Sequence, residues 1–376
     1  MTQFRRHVAL VTIVFLTTAL LLSACAVPPQ DGSSGEEQWV GTGHAALDKL
    51  IEEGKIAPLE EPVTVKIAED GSPSGAGFYI AKELGYFERL GINAEFVTFS
   101  SSAYMLPSLA AGQVDVAGGI CSVALFNAIK RGLDIKIIGD KGKNIPGQSY
   151  FDLVLSAERV DDIKTLADLR GEKIAVTSPG SVDELFADMA LKAAGLTKDD
   201  VEYVILESFS EMNPALASGT VAAAMHIEPL ITQGEDKGIL TRWVDATEFA
   251  PDFQVAIVLG SPQFVGEKRA VGELFMIGYV LGLRDYHEAF IKGEDTESII
   301  AIMAEYTPMK DRELWHKVNV VGLSPNSEVI EESIAQQLQW FHDMGYFEDE
   351  IDLSTVIDMS LVDNAVELLG TYDTGE

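Results

Sequence analysis

Basic residues are scarce in this chain: 27 Lys and Arg stand against 59 Asp and Glu, giving a formal charge of -32 at pH 7. Nucleic acid and anionic headgroups are held through Lys and Arg contacts with phosphate, so this balance excludes them as partners. Cysteine is nearly absent, with Cys25 and Cys121 far apart, and the 6 histidines are scattered. Neither Cys-x-x-Cys nor His-x-x-x-His spacing occurs, which leaves no metal motif. Phosphate-loop and dinucleotide signatures are missing too, because Gly75-Ala76-Gly77 lacks the third glycine. The apolar run Val8 to Leu22 is roughly fifteen residues, short of the roughly 18 to 20 that a membrane-spanning helix needs.

That run is nonetheless informative. Arg5 and Arg6 precede it and Ser23-Ala24-Cys25 follow it, the order of a secretory signal with a small-residue cleavage site. With a cysteine at the junction, the segment resembles a bacterial lipoprotein signal, in which Cys25 becomes the acylated first residue. The resemblance implies a folded body outside the cytoplasm, tethered to the membrane by acyl chains. Cleavage removes Arg5 and Arg6 and leaves 25 basic residues against 59 acidic ones, a formal charge of -34. With Cys25 lipidated, Cys121 has no partner and the fold must rely on its core.

Residues 26–37 are polar and rich in Pro, Gly and Ser, which reads as a flexible tether. Residues 44–55 read as a short helix, ended by Pro58 and Pro62. From Val63 the pattern alternates. Strands are expected at 63–68, 94–99, 114–117 and 135–138, with helices over 78–90, from Ser100–Ser102 to Gly112, and from Gly118-Gly119 to Gly132. A crossover strand over 151–156 opens a second set, with strands at 173–177, 201–206 and 221–227 and helices over 182–194 and after Pro229. The run 253–259 reads as a returning strand, and the remainder as helices near 262–292, 296–305, 327–343 and 354–369. Repeated βα units predict parallel sheets with ligands at the carboxyl ends of the strands. Two α/β lobes crossed twice by the chain predict a hinged clamshell whose cleft binds the ligand.

Phe78-Tyr79-Ile80-Ala81-Lys82-Glu83-Leu84-Gly85-Tyr86-Phe87, followed by Gly91-Ile92 and Glu95-Phe96-Val97, resembles the opening of the nitrate/sulfonate/taurine-type solute-binding proteins of ABC importers. That group includes thiamin-precursor (THI5-like) and riboflavin binders. Further similarity lies in 109–117, 166–176, Glu228-Pro229, 337–346 and 358–362, so that it spans roughly Val63 to Leu369. The resemblance implies a two-lobe type II periplasmic-binding-protein clamshell with C-terminal helices. Its expected divisions are a signal peptide over 1–24, a lipidated tether and linker over 25–61, the first lobe over 62–152, the second over 153–258, and a first-lobe return with C-terminal helices over 259–376. Two departures stand out: Ile227-Glu228-Pro229 occurs where members commonly show Trp-Glu-Pro, and Ala222 replaces the acidic residue that often starts that strand. A pocket wall is therefore expected to differ from that of the sulfonate binders.

The strand-end loops offer Ser74 and Gly75, Ser101 and Ser102 with Tyr104, Gly119, Cys121 and Ser122, Ser178 and Ser181, and His226 with Glu228. At helix starts, hydroxyls and free N–H groups suit an oxoanion. Serine and glycine are equally the commonest capping and turn residues. Phe78, Tyr79, Tyr104 and Tyr150 offer rings for a flat heterocycle, although Phe78 reads equally as core. Glu228 is a hydrogen-bond acceptor for a ligand amine or a hinge residue, and His226 is a ligand contact or a satisfied strand-end histidine. Cys121 reads as a buried small hydrophobe, because no paired base accompanies it. Lys141 and Lys143, expected in the loop after the fourth strand, are the nearest cations.

The resulting expectation is a non-enzymatic, extracytoplasmic lipoprotein without cofactor or metal. It captures a small organic solute as a monomer and passes it to an ABC permease with its ATPase subunit. An aromatic or heterocyclic ligand such as a pyrimidine or flavin is favoured. Open beside it are sulfonate, taurine or nitrate binding, a THI5-like pyrimidine-synthesis enzyme, and a receptor for a sensor kinase.

Overall fold

The computed structural model describes residues 43–348 and 350–374, so the signal segment, Cys25 and the tether of residues 26–37 lie outside the described residues. The first helix, α1 (Gly43–Glu52), turns Leu47 and Leu50 inward. It is held to the body by His44 Nε2, which donates to the Leu84 carbonyl at 2.6 Å, and by the Asp48–Arg89 ion pair at 2.7 Å.

The chain then runs through β1 (Val63–Glu69), α2 (Ala76–Glu83), α3 (Tyr86–Arg89), β2 (Ile92–Thr98), α4 (Ser102–Ala110), β3 (Val116–Ile120), α5 (Val123–Lys130) and β4 (Lys136–Asn144). It crosses into β5 (Phe151–Ser156), β6 (Lys173–Val176), α6 (Val182–Ala193), β7 (Glu202–Ile205), α7 (Met212–Ala217), β8 (Ala223–Ile227), α8 (Leu230–Asp236) and β9 (Leu240–Asp245). It returns through β10 (Phe253–Gly260) to α9 (Pro262–Val265), α10 (Arg269–Phe290), α11 (Thr296–Tyr306), α12 (Arg312–Trp315), α13 (Glu331–Asp343) and α14 (Ser360–Leu369).

Two five-stranded sheets result, ordered β2-β1-β3-β10-β4 and β7-β6-β8-β5-β9. Neither is wholly parallel, contrary to the βα pattern. β10 runs antiparallel to β3 and β4, and β5 runs antiparallel to β8 and β9. Both are strands by which the chain enters from the other lobe, and each arrives running opposite to the strands wound within the lobe.

Four local expectations also give way. The helix expected over 78–90 is two, because Gly85 adopts φ 76° and ends α2. Gly118 and Gly119 belong to β3 rather than to a helix start, paired with Val258 and Ile257 of β10. β4 continues past Ile138 through Gly139-Asp140-Lys141-Gly142-Lys143-Asn144, because β10 supplies a pairing edge that keeps even these charged residues in the sheet. β9 was not anticipated; its sequence, Leu-Thr-Arg-Trp-Val-Asp, is short and polar, and it is fixed by pairing with β5.

The long helix α10 forms the spine of the first lobe. Phe78 stacks into its Tyr279 at 4.5 Å and Phe87 lies parallel to Phe275 at 4.7 Å. Burial of each such side chain is worth roughly 1.5–3 kcal/mol. That packing anchors α2, and with it the loop after β1, on which the site depends.

Candidate ligand-binding cleft

The carboxyl ends of β1 and β3 meet an unanticipated pair of charges. Glu69, the last residue of β1, and Lys141, in β4, are both almost fully buried and lie 3.1 Å apart. The two side chains pass Gly118 of the intervening β3, where a Cβ would overlap both the Glu69 carboxylate and Lys141 Cε. Lys141 Nζ also donates to Ser74 Oγ at 2.9 Å and to Ser72 Oγ at 3.2 Å. Tyr79 donates its hydroxyl proton to Glu69 Oε2 at 3.1 Å. Burial raises the Glu69 carboxyl from 4.5 to about 7, although Lys141 and the two hydrogen bonds pull the other way.

The crossover into the second lobe adds Tyr150. Its hydroxyl approaches Gly142 and has the Ser74 hydroxyl as a hydrogen-bond neighbour, and burial pushes its pKa well above the ordinary tyrosine value. Its ring leans on Phe151 at 5.0 Å, and Phe151 meets Phe186 and Phe209 of the second lobe at 5.4 and 5.8 Å. Burial also pushes the Cys121 thiol up to about 12, which leaves it protonated and unreactive.

The opposing lobe presents the loop after β6 and the start of α6. Here the donors are already engaged. Asp183 accepts from Thr177 Oγ1 at 2.7 Å and from the Thr177 N–H at 2.5 Å, and Glu184 accepts from the Gly180 N–H at 2.7 Å. Ser181 caps the helix through the Glu184 N–H and donates to the Ser178 carbonyl at 2.7 Å. Two carboxylates of the protein's own thus stand in the first turn of α6 and take donors of the preceding loop. Across the mouth, the Val123 N–H donates to the Gly180 carbonyl at 3.2 Å, joining the two lobes.

Of the residues singled out from the sequence, Ser74 and Tyr79 bond to the ion pair and Tyr150 to Ser74, Cys121 lies near Tyr150, and Gly75 sits directly beneath the Tyr79 hydroxyl. Ser122 caps α5 through the Leu125 N–H, and Ser102 Oγ accepts from the Ile120 N–H, tying α4 to β3. Gly119 gives close approach to Leu259. Ser101 precedes α4 without a side-chain cap, Ser178 is exposed, and Tyr104 projects into solvent at 62% exposure.

Three of the singled-out residues turn elsewhere. Phe78 is core. His226 packs against Phe209, with neither ring nitrogen hydrogen-bonded among the described residues; burial lowers its pKa to about 3, so it is neutral. Glu228 is locked by Arg242, by the Thr232 N–H and hydroxyl, and by the Asn319 N–H at 3.1 Å. Glu69, Asp183 and Glu184 were missed. The one legible signal was an acidic residue at the end of an apolar strand. Among the described residues no group of three or more His, Cys, Asp or Glu is placed to hold a metal ion.

A family model described as NMT1/THI5 like matches residues 72–283, more than half of the chain. The chain belongs to the NMT1/THI5-like family. Among curated relatives, a Haemophilus influenzae protein named for thiamine biosynthesis is 28% identical over 166 residues, 44% of this chain and 50% of its own. The chain spans about half the length of the curated relatives it matches. Among solved structures, the periplasmic aliphatic sulphonate binding protein of Escherichia coli superimposes with a TM-score of 0.62 at 19% identity, over 79% of this chain and 92% of its own. The periplasmic nitrate-binding protein of Synechocystis PCC 6803 gives 0.66 at 15% identity, over 84% and 90%. The two-lobe α/β fold of this NMT1/THI5-like protein is thus that of the periplasmic binding proteins, as its sequence resemblance implied.

Proposed function

We propose that this protein is the solute-binding component of an ABC importer and that its ligand is a small organic molecule with an aromatic or heterocyclic part. Family membership and the binding-protein fold support the general role. Carboxylates at this helix start support the ligand class: Asp183 and Glu184 take the donors of Thr177 and Gly180 in the loop before α6, and Lys141 is already paired with Glu69. A fully anionic ligand would have to displace or neutralise these carboxylates. A neutral ring with adjacent donors and acceptors can hydrogen-bond to Glu69, Lys141 and Ser74 while lying against Tyr150.

In this reading, contacts from both lobes stabilise the closed form, and the permease with its ATPase releases the ligand by favouring the open one. No bond is made or broken; the protonated Cys121 thiol is in keeping with that. Acylated Cys25 tethers the body, as a monomer, outside the cytoplasmic membrane. One observation favours sulfonate or nitrate instead: Lys141 flanked by Ser72 and Ser74 is an oxoanion donor set once Glu69 is protonated.

Thermal-shift screening of the soluble body against thiamin pyrimidines, riboflavin, aromatic carboxylates, taurine, alkanesulfonates and nitrate tests both readings. A ligand at a hundred times its Kd adds about 2.7 kcal/mol to stability. Stabilisation by a heterocycle is the expected result. Stabilisation by sulfonates or nitrate alone overturns the ligand class.

A further inference from the structure

The first lobe carries a second concavity of about 250 Å³, lined by Glu69 but not by Lys141, and further by Asp70, Tyr79, Phe96, Thr98 and Tyr306. We propose that it is a binding site for a small organic cation, a primary or methylated ammonium, distinct from the interlobe cleft.

One wall is aromatic. Tyr79 and Tyr306 stack at 4.7 Å with an interplanar angle of 6°, and Phe96 meets them edge-on at 5.3 and 5.2 Å. The face of this wall already attracts one cation, since Lys82 Nζ lies 5.0 Å from the Phe96 centroid. An aromatic face holds an ammonium through its quadrupole, and the more strongly where water is partly excluded.

The charges on the rim agree. Glu69 has Lys141 as its counter-ion, whereas Asp70 has no ion-pair partner among the described residues and accepts only the Ser72 N–H at 3.0 Å. The hydroxyl of Tyr306 is bonded to Glu83, a third carboxylate. Tyr306 is also the last residue of α11, so the negative end of that helix faces the same concavity. Glu69 and Asp70 thus line the concavity beside a helix carboxyl end, and the charge of Glu69 alone is met by Lys141. Asp70 contributes to raising the Glu69 carboxyl, the mark of two acidic groups sharing too little counter-charge. Aromatic surface combined with surplus negative charge selects an organic cation over an anion, which is repelled, and over a bare metal ion, for which rings are poor ligands.

The test uses tetramethylammonium chloride as probe and tert-butanol as its neutral counterpart, followed by saturation-transfer NMR on the full chain in detergent. Saturable tetramethylammonium binding without tert-butanol binding is expected. Tyr306→Leu should weaken it roughly two- to thirtyfold, the span of a single cation–π contact. Thr98→Lys, on the exposed lip, should abolish it by placing a cation of the protein's own in the site, and it guards against misfolding of the tyrosine variant. Tyr150→Ala, in the cleft, should leave it unchanged, so this site and the importer reading fail independently. Equal binding of tert-butanol, or undiminished binding in both Tyr306→Leu and Thr98→Lys, would overturn the proposal.

Discussion

Replacing Lys141 by Met strips Glu69 of its ion-pair partner in a part of the cleft closed to water. Removing one member of a buried pair costs about 3–5 kcal/mol when the other stays charged. The wild-type Glu69 carboxyl is raised by burial from 4.5 to about 7, so the folded chain holds this proton more tightly than the unfolded chain does. Its stabilising contribution is therefore complete below about pH 4.5 and is lost as the pH rises through about 7. At about 1.4 kcal/mol for each tenfold change in proton affinity, that contribution is roughly 3 kcal/mol. The cost of Lys141→Met must follow the same titration. At pH 8 the orphaned carboxylate is either ionised in an apolar site or forced to take a proton from dilute solution. At pH 5 it is already protonated, and only the lysine stem and its bonds to Ser72 and Ser74 are lost.

Urea unfolding of wild type, Lys141→Met, Glu69→Gln and the double variant at both pH values measures this. The deficit of Lys141→Met should be larger at pH 8 by up to about 1.4 kcal/mol, since wild-type Glu69 ionises only about one pH unit below that, and the double variant should recover most of it. Asp152, which burial also raises to about 7, titrates in the same range but is present in all four proteins and cancels. A Lys141→Met deficit that is the same at pH 5 and pH 8 would refute the reasoning, because it would mean that Glu69 does not depend on Lys141 for its charge.

Arg242→Met should cost about 3–5 kcal/mol in urea unfolding, since it leaves the buried Glu228 and Asp152 without their shared cation; a loss below about 1 kcal/mol would mean that water reaches the pair. Tyr150→Ala should weaken binding of the solute identified by screening by roughly 1–3 kcal/mol in calorimetry, by analogy with aromatic stacking on a base, and unchanged affinity would remove this ring from the site. Cys25→Ser should move the protein from the membrane to the soluble fraction with ligand affinity intact; continued membrane attachment would contradict the lipid anchor.

The strands over 63–69, 151–156 and 253–260 were legible because each is an apolar run bounded by breakers, and such runs must bury whatever their neighbours are. β4 beyond Ile138 was not, since Asp140, Lys141 and Lys143 carry no strand signal and are held in the sheet only by β10, more than a hundred residues away in sequence. Sequence separation also hid the ion pair. Glu69 reads as a strand end and Lys141 as a loop lysine until β3 places them on either side of Gly118. Serines were legible as candidates but not as to role. Ser74 faces Lys141 whereas Ser102 and Ser122 bond backbone, a difference set by which loop packs against which strand.

By itself the sequence determined the class of molecule, an acidic two-lobe α/β body, because apolar periodicity, breaker spacing and charge balance act locally or by sum. The tertiary structure alone decided which groups gather around Glu69 and Lys141, because burial, pKa and partnership depend on residues brought together from β1, β3, β4 and the crossover. It also decided that Glu228 and His226 stand outside this cluster, since the bonds of Glu228 run to Arg242, Thr232 and Asn319 while His226 packs against Phe209.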